Sequence, residues 1–260
     1  MNSVDYILKP GEHENKIKAH FNGRVCYDAD TPLFDKPMVI LAFTNRCGSN
    51  LFASHLRNTR VIGGLFEATN QEEVTEENKN TDCNSYDSFF RLKAEQIIDT
   101  GRFYGIKASA QQIAMLYRWN IPAMFPGTVV FHVQRRNLVE QAVSMTIASQ
   151  TGKWSSATKG TQQEAQFKFP DVAFYLERIA QQNVAIQLLV EVMELPSKTF
   201  YYEEFTGEPL PYIRDALALL GHDIEITSMP EPQIQKQANA RNEAFKIAFQ
   251  TQIRRAVSQD

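Results

Sequence analysis

The residues with the clearest chemistry form the stretch Thr44–Asn50, TNRCGSN, between an apolar run and a helical pattern. A strand, a turn containing Gly48 and a helix beginning near Ser49 would bring free N–H groups and the positive end of a helix dipole together. Arg46 adds a charged, forked donor. We therefore predict an anion site built from Thr44, Asn45, Arg46, Cys47, Gly48, Ser49 and Asn50. An ordinary helix cap would give the same pattern.

This loop lacks the Gly-Lys-Ser/Thr ending of loops that bind nucleoside triphosphates. That lysine and the Mg²⁺-binding hydroxyl supply the charge that catalysis on a γ-phosphate needs. A metal-bound triphosphate is therefore disfavoured as the ligand, and we expect no metal at this site.

A second anion site is indicated by VVFHVQRRNLVEQAVS, residues Val129–Ser144, where a strand pattern leads into two arginines and then a helix. Ser144 would lie about 10 Å along that helix from Arg136, a distance that an extended arginine side chain largely bridges. The guanidinium group and the hydroxyl can then hold a second phosphate. Paired surface arginines and an exposed helical serine are the alternative interpretation, but the carboxyl edge of a parallel sheet is where ligands bind.

The elements that would position these residues alternate along the chain. Apolar, β-branched or aromatic runs predict five strands, at Met38–Phe43, Val61–Leu65, Phe103–Ala108, Val129–Gln134 and Lys198–Tyr202. Helical patterns cover Ser49–Asn58, Ser85–Asp99, Gln111–Trp119, Leu138–Gln150, Asp171–Met193, Leu210–Leu220 and Asn239–Val257. The alternation predicts an α/β fold in three layers, α/β/α, with a central, mainly parallel sheet.

Two polar segments interrupt this alternation. Thr69–Thr81 is acidic and almost without apolar residues, and Thr151–Gln166 is polar apart from Trp154. We expect Thr69–Thr81 to be a solvated loop or the tip of an excursion, and Thr151–Gln166 to be a flexible polar stretch. Both are either lids over a site or plain surface loops.

Length and charge exclude several classes of protein. The chain has 260 residues, 43% of them hydrophobic, so we expect one domain, with residues 1–36 as an N-terminal extension. A net charge of −3 disfavours a nucleic-acid partner. Three scattered cysteines argue against a disulfide framework or a cysteine zinc site. Without an apparent leader or membrane span, a cytoplasmic protein is expected.

The two motifs, in this order, resemble the phosphosulfate loop and the 3′-phosphate motif of sulfotransferases that use 3′-phosphoadenosine 5′-phosphosulfate (PAPS). More narrowly, RRNLVEQAVSMTIASQTGKW resembles a block of the bacterial Stf-type family, typified by trehalose 2-sulfotransferase. Further similar segments are GLFEATN (Gly64–Asn70), YGIKASAQQ (Tyr104–Gln112), YYEEFTGEP (Tyr201–Pro209) and QKQANARNEAF (Gln235–Phe245). The similarity runs from about Pro37 to Arg255.

This resemblance implies a P-loop NTPase-like sulfotransferase fold and transfer of a sulfuryl group from PAPS to a hydroxyl of a carbohydrate or other small metabolite, with 3′-phosphoadenosine 5′-phosphate (PAP) as product. It implies that the Thr44–Asn50 loop binds the phosphosulfate, and that Arg136 and Ser144 bind the 3′-phosphate with Arg135 sharing that task. Lys236, in a basic segment, would close over the nucleotide or belong to a solvated helix face. Glu67 is implied as general base, with Arg46 and Lys107 assisting catalysis. Glu67 and Gln111 would contact the acceptor, and a homodimer is suggested. Independently of the resemblance, Trp154 offers an aromatic face to a sugar ring or to the adenine, or else packs as an ordinary apolar side chain.

Several points stay open. Asn45, Cys47 and Asn50 depart from the family pattern, which often has proline, serine and a hydroxyl residue there. His55 and His132 are rival bases, although their positions in a helix and a strand favour packing. A non-catalytic nucleotide-binding protein and a nucleotide kinase are the alternative functions, and the acceptor is not determined by the sequence.

Overall fold

A computed structural model describes residues 2–29, 31–154, 164–222, 230 and 240–258. Five parallel strands form one sheet in the order β2-β3-β1-β4-β5, with bounds Met38–Phe43 (β1), Ile62–Phe66 (β2), Phe103–Ala108 (β3), Thr128–Gln134 (β4) and Ser197–Tyr201 (β5). Ile40 of β1 lies opposite Ile106 of β3 and Val130 of β4. The predicted α/β class and parallel sheet are confirmed, with strand ends shifted by one residue at most.

The helices follow the strands as the alternation predicts. They are α1 (Asp5–Leu8), α2 (Glu12–His20), α3 (Ser49–Asn58), α4 (Gln71–Thr81), α5 (Tyr86–Ile98), α6 (Ala110–Arg118), α7 (Leu138–Thr151), α8 (Phe169–Val192), α9 (Tyr202–Phe205), α10 (Pro209–Ala218) and α11 (Ala240–Val257). A short 3-10 helix, Ile121–Met124, precedes β4.

The sheet separates two apolar cores because successive side chains of a strand point to opposite faces. On one face, Leu41 and Phe43 of β1 pack with Phe52 of α3. On the other, Ile40 and Ala42 pack with residues of α5, α6 and α8. A third cluster joins α7, α8 and α11. The helices therefore cover both faces and leave the carboxyl edge of the strands to the loops.

The strand order places the Thr44–Asn50 loop at the switch point of the sheet. β1 lies between β3 and β4, so the chain continues to one side of β1 first and to the other side later. In open parallel sheets this reversal opens a crevice at the carboxyl ends of the strands.

The acidic segment Thr69–Thr81 corrects one prediction, because its residues from Gln71 onward form helix α4 rather than a solvated loop. The Asn70 side chain accepts a hydrogen bond from the Glu72 amide at 2.9 Å and so caps the helix. Glu72 and Glu73 lie in the first turn, where negative charge is favourable. Only Val74 is buried, and one apolar contact is too weak a pattern to recognise in the sequence.

The N-terminal residues are integrated into the fold. Ile17 of α2 and the following Phe21 are buried in the core beside Tyr86 and Phe89 of α5. Glu14 is buried and forms an ion pair with Arg118 of α6. This segment therefore contributes to the same core as the sheet.

Within the described part of the chain, no helix combines the length and apolarity that crossing a membrane would require. Residues 155–163 of the second polar segment lie outside the described residues, as does Lys236.

Candidate functional site

The loop after β1 has the backbone geometry of an anion-binding turn. Arg46 and Gly48 both have left-handed backbone conformations, with φ of 68° and 94°. The Cys47 amide donates to the Thr44 carbonyl at 3.3 Å, and α3 begins at Ser49. The turn thus directs the amino end of a ten-residue helix towards the crevice, where its dipole favours an anion.

Gly48 is required by a close approach as well as by its φ angle. A Cβ atom at this position would lie 2.3 Å from the Tyr202 ring, in α9. The Tyr202 side chain therefore packs directly against the loop, a contact that the sequence did not reveal.

We expect Gly48→Ala to destabilise the protein by about 1–3 kcal/mol more than Gly23→Ala does. Gly23 also has a positive φ angle, 81°, but a Cβ atom there would meet nothing within 4 Å. Both substitutions carry the cost of a left-handed alanine, about 1–2 kcal/mol, and only Gly48→Ala adds the clash with Tyr202. Urea unfolding of the two variants measures the difference, and equal losses would contradict it.

Arg46 reaches from the loop to α7. Its Nε atom donates to the Ser144 hydroxyl at 2.9 Å, and Nη1 donates to the Trp154 carbonyl. Burial lowers the pKa of Arg46, and the positive charge of Arg135 lowers that pKa further. Two guanidinium groups are therefore held near each other beside a helix amino end, and an anion between them would relieve their repulsion.

The two arginines after β4 have different surroundings. Arg135 is mostly buried, forms ion pairs with Glu140 at 2.6 Å and Glu203 at 3.7 Å, and lies 4.9 Å from the centre of the Tyr202 ring. Its Nε atom is buried and has no hydrogen-bond partner among the described residues. A buried donor of this kind is costly unless a ligand or water accepts its hydrogen bond.

Arg136 is more exposed and pairs with Glu204, while its guanidinium group lies 3.8 Å from the centre of the Tyr201 ring. Ser144 contacts Arg46, so the structure joins the serine of the second motif to the arginine of the first. The two motifs are thus parts of one site, with Arg46 and Ser144 at their junction.

Across the crevice, Lys107 links the first loop to Glu67. Lys107 is buried, and its Nζ atom donates to Asn50 Oδ1 at 2.5 Å and to Glu67 Oε1 at 3.0 Å. The ammonium group also lies 4.6 Å from the centre of the Phe43 ring. Lys107 is therefore a fixed charge between the loop and the carboxylate.

The turn that carries Glu67 is fixed by residues that the sequence did not single out. Leu65 has a φ angle of 58° at an irregularity in the pairing of β2. The Glu67 carbonyl accepts from the Asn70 amide at 2.7 Å. Gln112 donates to the Thr69 carbonyl at 3.1 Å, and the Tyr86 hydroxyl donates to the Ala68 carbonyl at 3.3 Å. Glu67 thus projects from a rigid turn.

Both rival histidines are buried. His55 lies in α3 and His132 in β4, and burial lowers the pKa of each, that of His132 to about 4. His132 Nδ1 lies 3.1 Å from Gln134 Nε2. A contact with the Asn183 side chain raises the pKa of His132 by less than burial lowers it. These positions inside the packed layers favour a structural role for both imidazoles.

The low pKa of His132 predicts an acid-dependent loss of stability. Between pH 6.5 and 4 the unfolded chain binds a proton at this imidazole that the folded chain does not bind. The free energy of unfolding should therefore fall as the pH drops through this window, by on the order of 3 kcal/mol from this group.

Urea unfolding from pH 7 to 4 measures this slope. His132→Gln should flatten the slope, and His222→Gln, at an exposed imidazole, is the matched control. If the free energy of unfolding had the same pH dependence in His132→Gln and in the wild type, His132 would not be its cause.

The remaining predicted residues lie in different places. Cys47 is fully buried among apolar side chains, and burial raises the pKa of its thiol, so it is shielded from oxidants. Trp154 is 43% exposed and adjoins the site through its carbonyl contact with Arg46. The Gln111 side chain lies against Gly11 near the start of α2, whereas its neighbour Gln112 supports the Glu67 turn.

No group of three or more histidine, cysteine, aspartate or glutamate residues in the described ranges has the geometry of a metal site.

Comparison with known proteins places this arrangement in a family. The model of the Stf0 sulphotransferase family matches residues 38–252. No curated protein sequence matches the chain. Among solved structures, the sulfotransferase domain from the curacin biosynthetic pathway is 14% identical, with 84% of this chain and 99% of that chain covered and a TM-score of 0.50.

Two further solved structures are similar, with lower TM-scores. A sulfotransferase from Alicyclobacillus acidocaldarius is 16% identical, with 87% of this chain and 98% of that chain covered and a TM-score of 0.46. A mouse sulfotransferase complexed with PAP is 12% identical, with 76% of this chain and 64% of that chain covered and a TM-score of 0.45. The family resemblance identified from the sequence motifs is confirmed by the family model. Because that model spans the chain from β1 into α11, this protein belongs to the Stf0 sulphotransferase family.

Proposed function

We propose that this protein transfers a sulfuryl group from PAPS to a hydroxyl of a carbohydrate or another small hydroxylated metabolite. Family membership supports sulfuryl transfer as the general activity. The main structural support is a cluster of Arg46, Arg135 and Ser144 beside the amino end of α3. The Lys107–Glu67 pair lies at the neighbouring strand ends.

The donor fits the charges of this cluster. The phosphosulfate would lie against the amides of residues 47–50 and the guanidinium group of Arg46. The 3′-phosphate would lie near Ser144, Arg135 and Arg136. Arg135 Nε, which is 3.7 Å from Glu203 and has no hydrogen-bond partner among the described residues, can donate to it. Arg136 would exchange its Glu204 contact for the phosphate, since an exposed ion pair contributes little stability. The contacts that we propose for the donor do not involve a metal ion.

Glu67 is proposed as the general base. Lys107 contacts its Oε1 atom, and an acceptor hydroxyl can approach the second carboxylate oxygen. As the acceptor oxygen forms its bond to sulfur, its proton passes to Glu67. The bond between sulfur and the bridging phosphate oxygen breaks, and its electron pair leaves with PAP. Arg46 and the loop amides stabilise the charge that develops on that oxygen, and Lys107 stabilises the transferring group.

Acceptor contacts are proposed for Glu67 and Trp154. The Gln111 side chain lies against Gly11, beside the start of α2, and is not included among them. Glu73 of α4 lies close enough to Glu67 for its pKa to be raised by burial and then by the Glu67 charge. The charge of Lys107 lowers the pKa of Glu73 and offsets one of these two carboxylates, so a negative excess of one carboxylate remains between the three groups. This excess favours an uncharged acceptor over an anionic one.

Binding of PAP tests the donor assignment. At about 100 times its dissociation constant, PAP should raise the melting temperature by roughly 5–10 °C. Adenosine 5′-monophosphate, which lacks the 3′-phosphate, should raise it much less. Arg136→Ala should remove most of the difference between the two ligands, and Arg91→Ala, at an exposed arginine paired with Glu95, should keep it. No shift with millimolar PAP would contradict the proposal.

A further inference from the structure

A buried glutamine joins the two anion-binding motifs. Gln141 lies in α7, one helical turn before Ser144, and its side chain is fully buried. Nε2 donates to the Thr44 hydroxyl at 2.9 Å and to the Asn45 carbonyl at 2.8 Å. Both amide hydrogens are therefore used on the first two residues of the phosphosulfate loop.

The orientation of this amide is determined by its partners. The Asn45 carbonyl can only accept, so the atom facing it must be the amide nitrogen of Gln141. The Thr44 hydroxyl donates its own hydrogen to Asn183 Oδ1 of α8 at 3.3 Å, so it accepts from Gln141. A chain of hydrogen bonds thus connects α7, the loop and α8.

Packing alone does not account for Gln141. Its Oε1 atom is buried and has no hydrogen-bond partner among the described residues, a situation that costs about 1–3 kcal/mol. Methionine would fill a similar volume without that cost. We therefore attribute the presence of an amide here to the two hydrogen bonds that its nitrogen donates to Thr44 and Asn45 at the start of the loop.

We propose that Gln141 is a positioning residue that fixes the spacing of the two anion subsites, so that they bind a nucleotide carrying both phosphates as one unit. The inference rests on the proposed function. With the Arg46–Ser144 contact, α7 holds the loop at three points, which are Thr44, Asn45 and Arg46. Loss of the two Gln141 hydrogen bonds removes two of these three points.

Gln141→Met tests the proposal, because it keeps the volume of the side chain and removes both donors. Gln150→Met is the matched control, since Gln150 also lies in α7 and bonds instead to the Gln166 carbonyl and Asp171. PAP and adenosine 5′-monophosphate differ only in the 3′-phosphate. By calorimetry, Gln141→Met should weaken PAP binding about tenfold and adenosine 5′-monophosphate binding no more than about threefold. Gln150→Met should change neither.

Amide hydrogen exchange gives a readout that needs no nucleotide. In the free protein, exchange over residues 44–52 should be several-fold faster in Gln141→Met than in the wild type or in Gln150→Met, with exchange in β1 unchanged. Equal weakening of both nucleotides, or wild-type exchange in the loop, would overturn the positioning role. If the wild type bound no PAP, the donor assignment would fail, and the exchange comparison would still decide the role of Gln141.

Discussion

Replacement of Glu67 by glutamine is expected to lower sulfuryl transfer by roughly 100- to 10,000-fold while PAP affinity changes little. Glutamine keeps the shape of the side chain and can still accept from Lys107, but it cannot take the acceptor proton. The turn that holds Glu67 relies on backbone contacts to Gln112 and Tyr86, and these remain. Single-turnover formation of PAP measures transfer, and calorimetry measures binding.

Glu76→Gln is the matched control for this substitution. Glu76 is an exposed carboxylate of α4 that pairs with Lys79, so its loss should leave transfer unchanged. Unchanged transfer in Glu67→Gln would show that Glu67 is not the general base and would leave His55 and His132 as candidates for that role. Transfer and PAP affinity falling together would instead show that Glu67 maintains the nucleotide site through Lys107 and Asn50.

Replacement of Arg46 by alanine should lower transfer by about 100- to 1,000-fold, the usual effect of removing a donor that stabilises developing negative charge. PAP binding should weaken as well, by about tenfold or more, because the guanidinium group also joins the loop to Ser144. The transfer rate of Arg46→Lys should lie between those of the wild type and Arg46→Ala, since lysine keeps the charge and loses the forked geometry.

Arg91→Ala, which removes an exposed arginine of α5, serves as the control for the loss of one positive charge. If Arg46→Ala and Arg91→Ala had equal effects on transfer, Arg46 would have no specific part in catalysis. If Arg46→Lys were as active as the wild type, the positive charge alone would account for its role.

The sheet and most helices were predictable because their signals are local. β1 is a continuous apolar run and α3 begins directly after Gly48, so both bounds follow from a few neighbouring residues. Helix α4 was missed for the opposite reason. Its stability depends on the Asn70 cap and on one buried contact at Val74, and neither produces an apolar period.

The candidate site was predictable only where a motif is continuous in sequence. The loop from Thr44 to Asn50 forms the expected turn, and Ser144 faces it. The packing of Tyr202 on Gly48 and the hydrogen bonds from Gln141 to the loop join residues about 100 to 150 positions apart. Such contacts depend on the order of the strands, which places β4 and β5 beside β1, and no local pattern reports them.

The burial and the ion-pair partners of the charged side chains could not be predicted from the sequence either. Arg136 was the main candidate for the 3′-phosphate and Arg135 an additional one, yet Arg135 is mostly buried near Arg46 and Arg136 is more exposed beside Tyr201. The Arg135 side chain pairs with Glu140 and Glu203, and the Arg136 side chain pairs with Glu204. Glu203 and Glu204 lie in a segment that had no assigned role. Side-chain burial at a strand end is set by the helix that covers it, here α9.

Sulfuryl transfer can be detected by incubating the protein with PAPS and an extract of hydroxylated metabolites and analysing the products by mass spectrometry. We expect at least one metabolite to gain the mass of a sulfuryl group and PAP to appear in equal amount, with both changes lost in Glu67→Gln. Binding of PAP without transfer to any acceptor would instead indicate a non-catalytic nucleotide-binding protein. Absence of both PAP binding and transfer in the wild-type protein would contradict the proposed sulfotransferase activity.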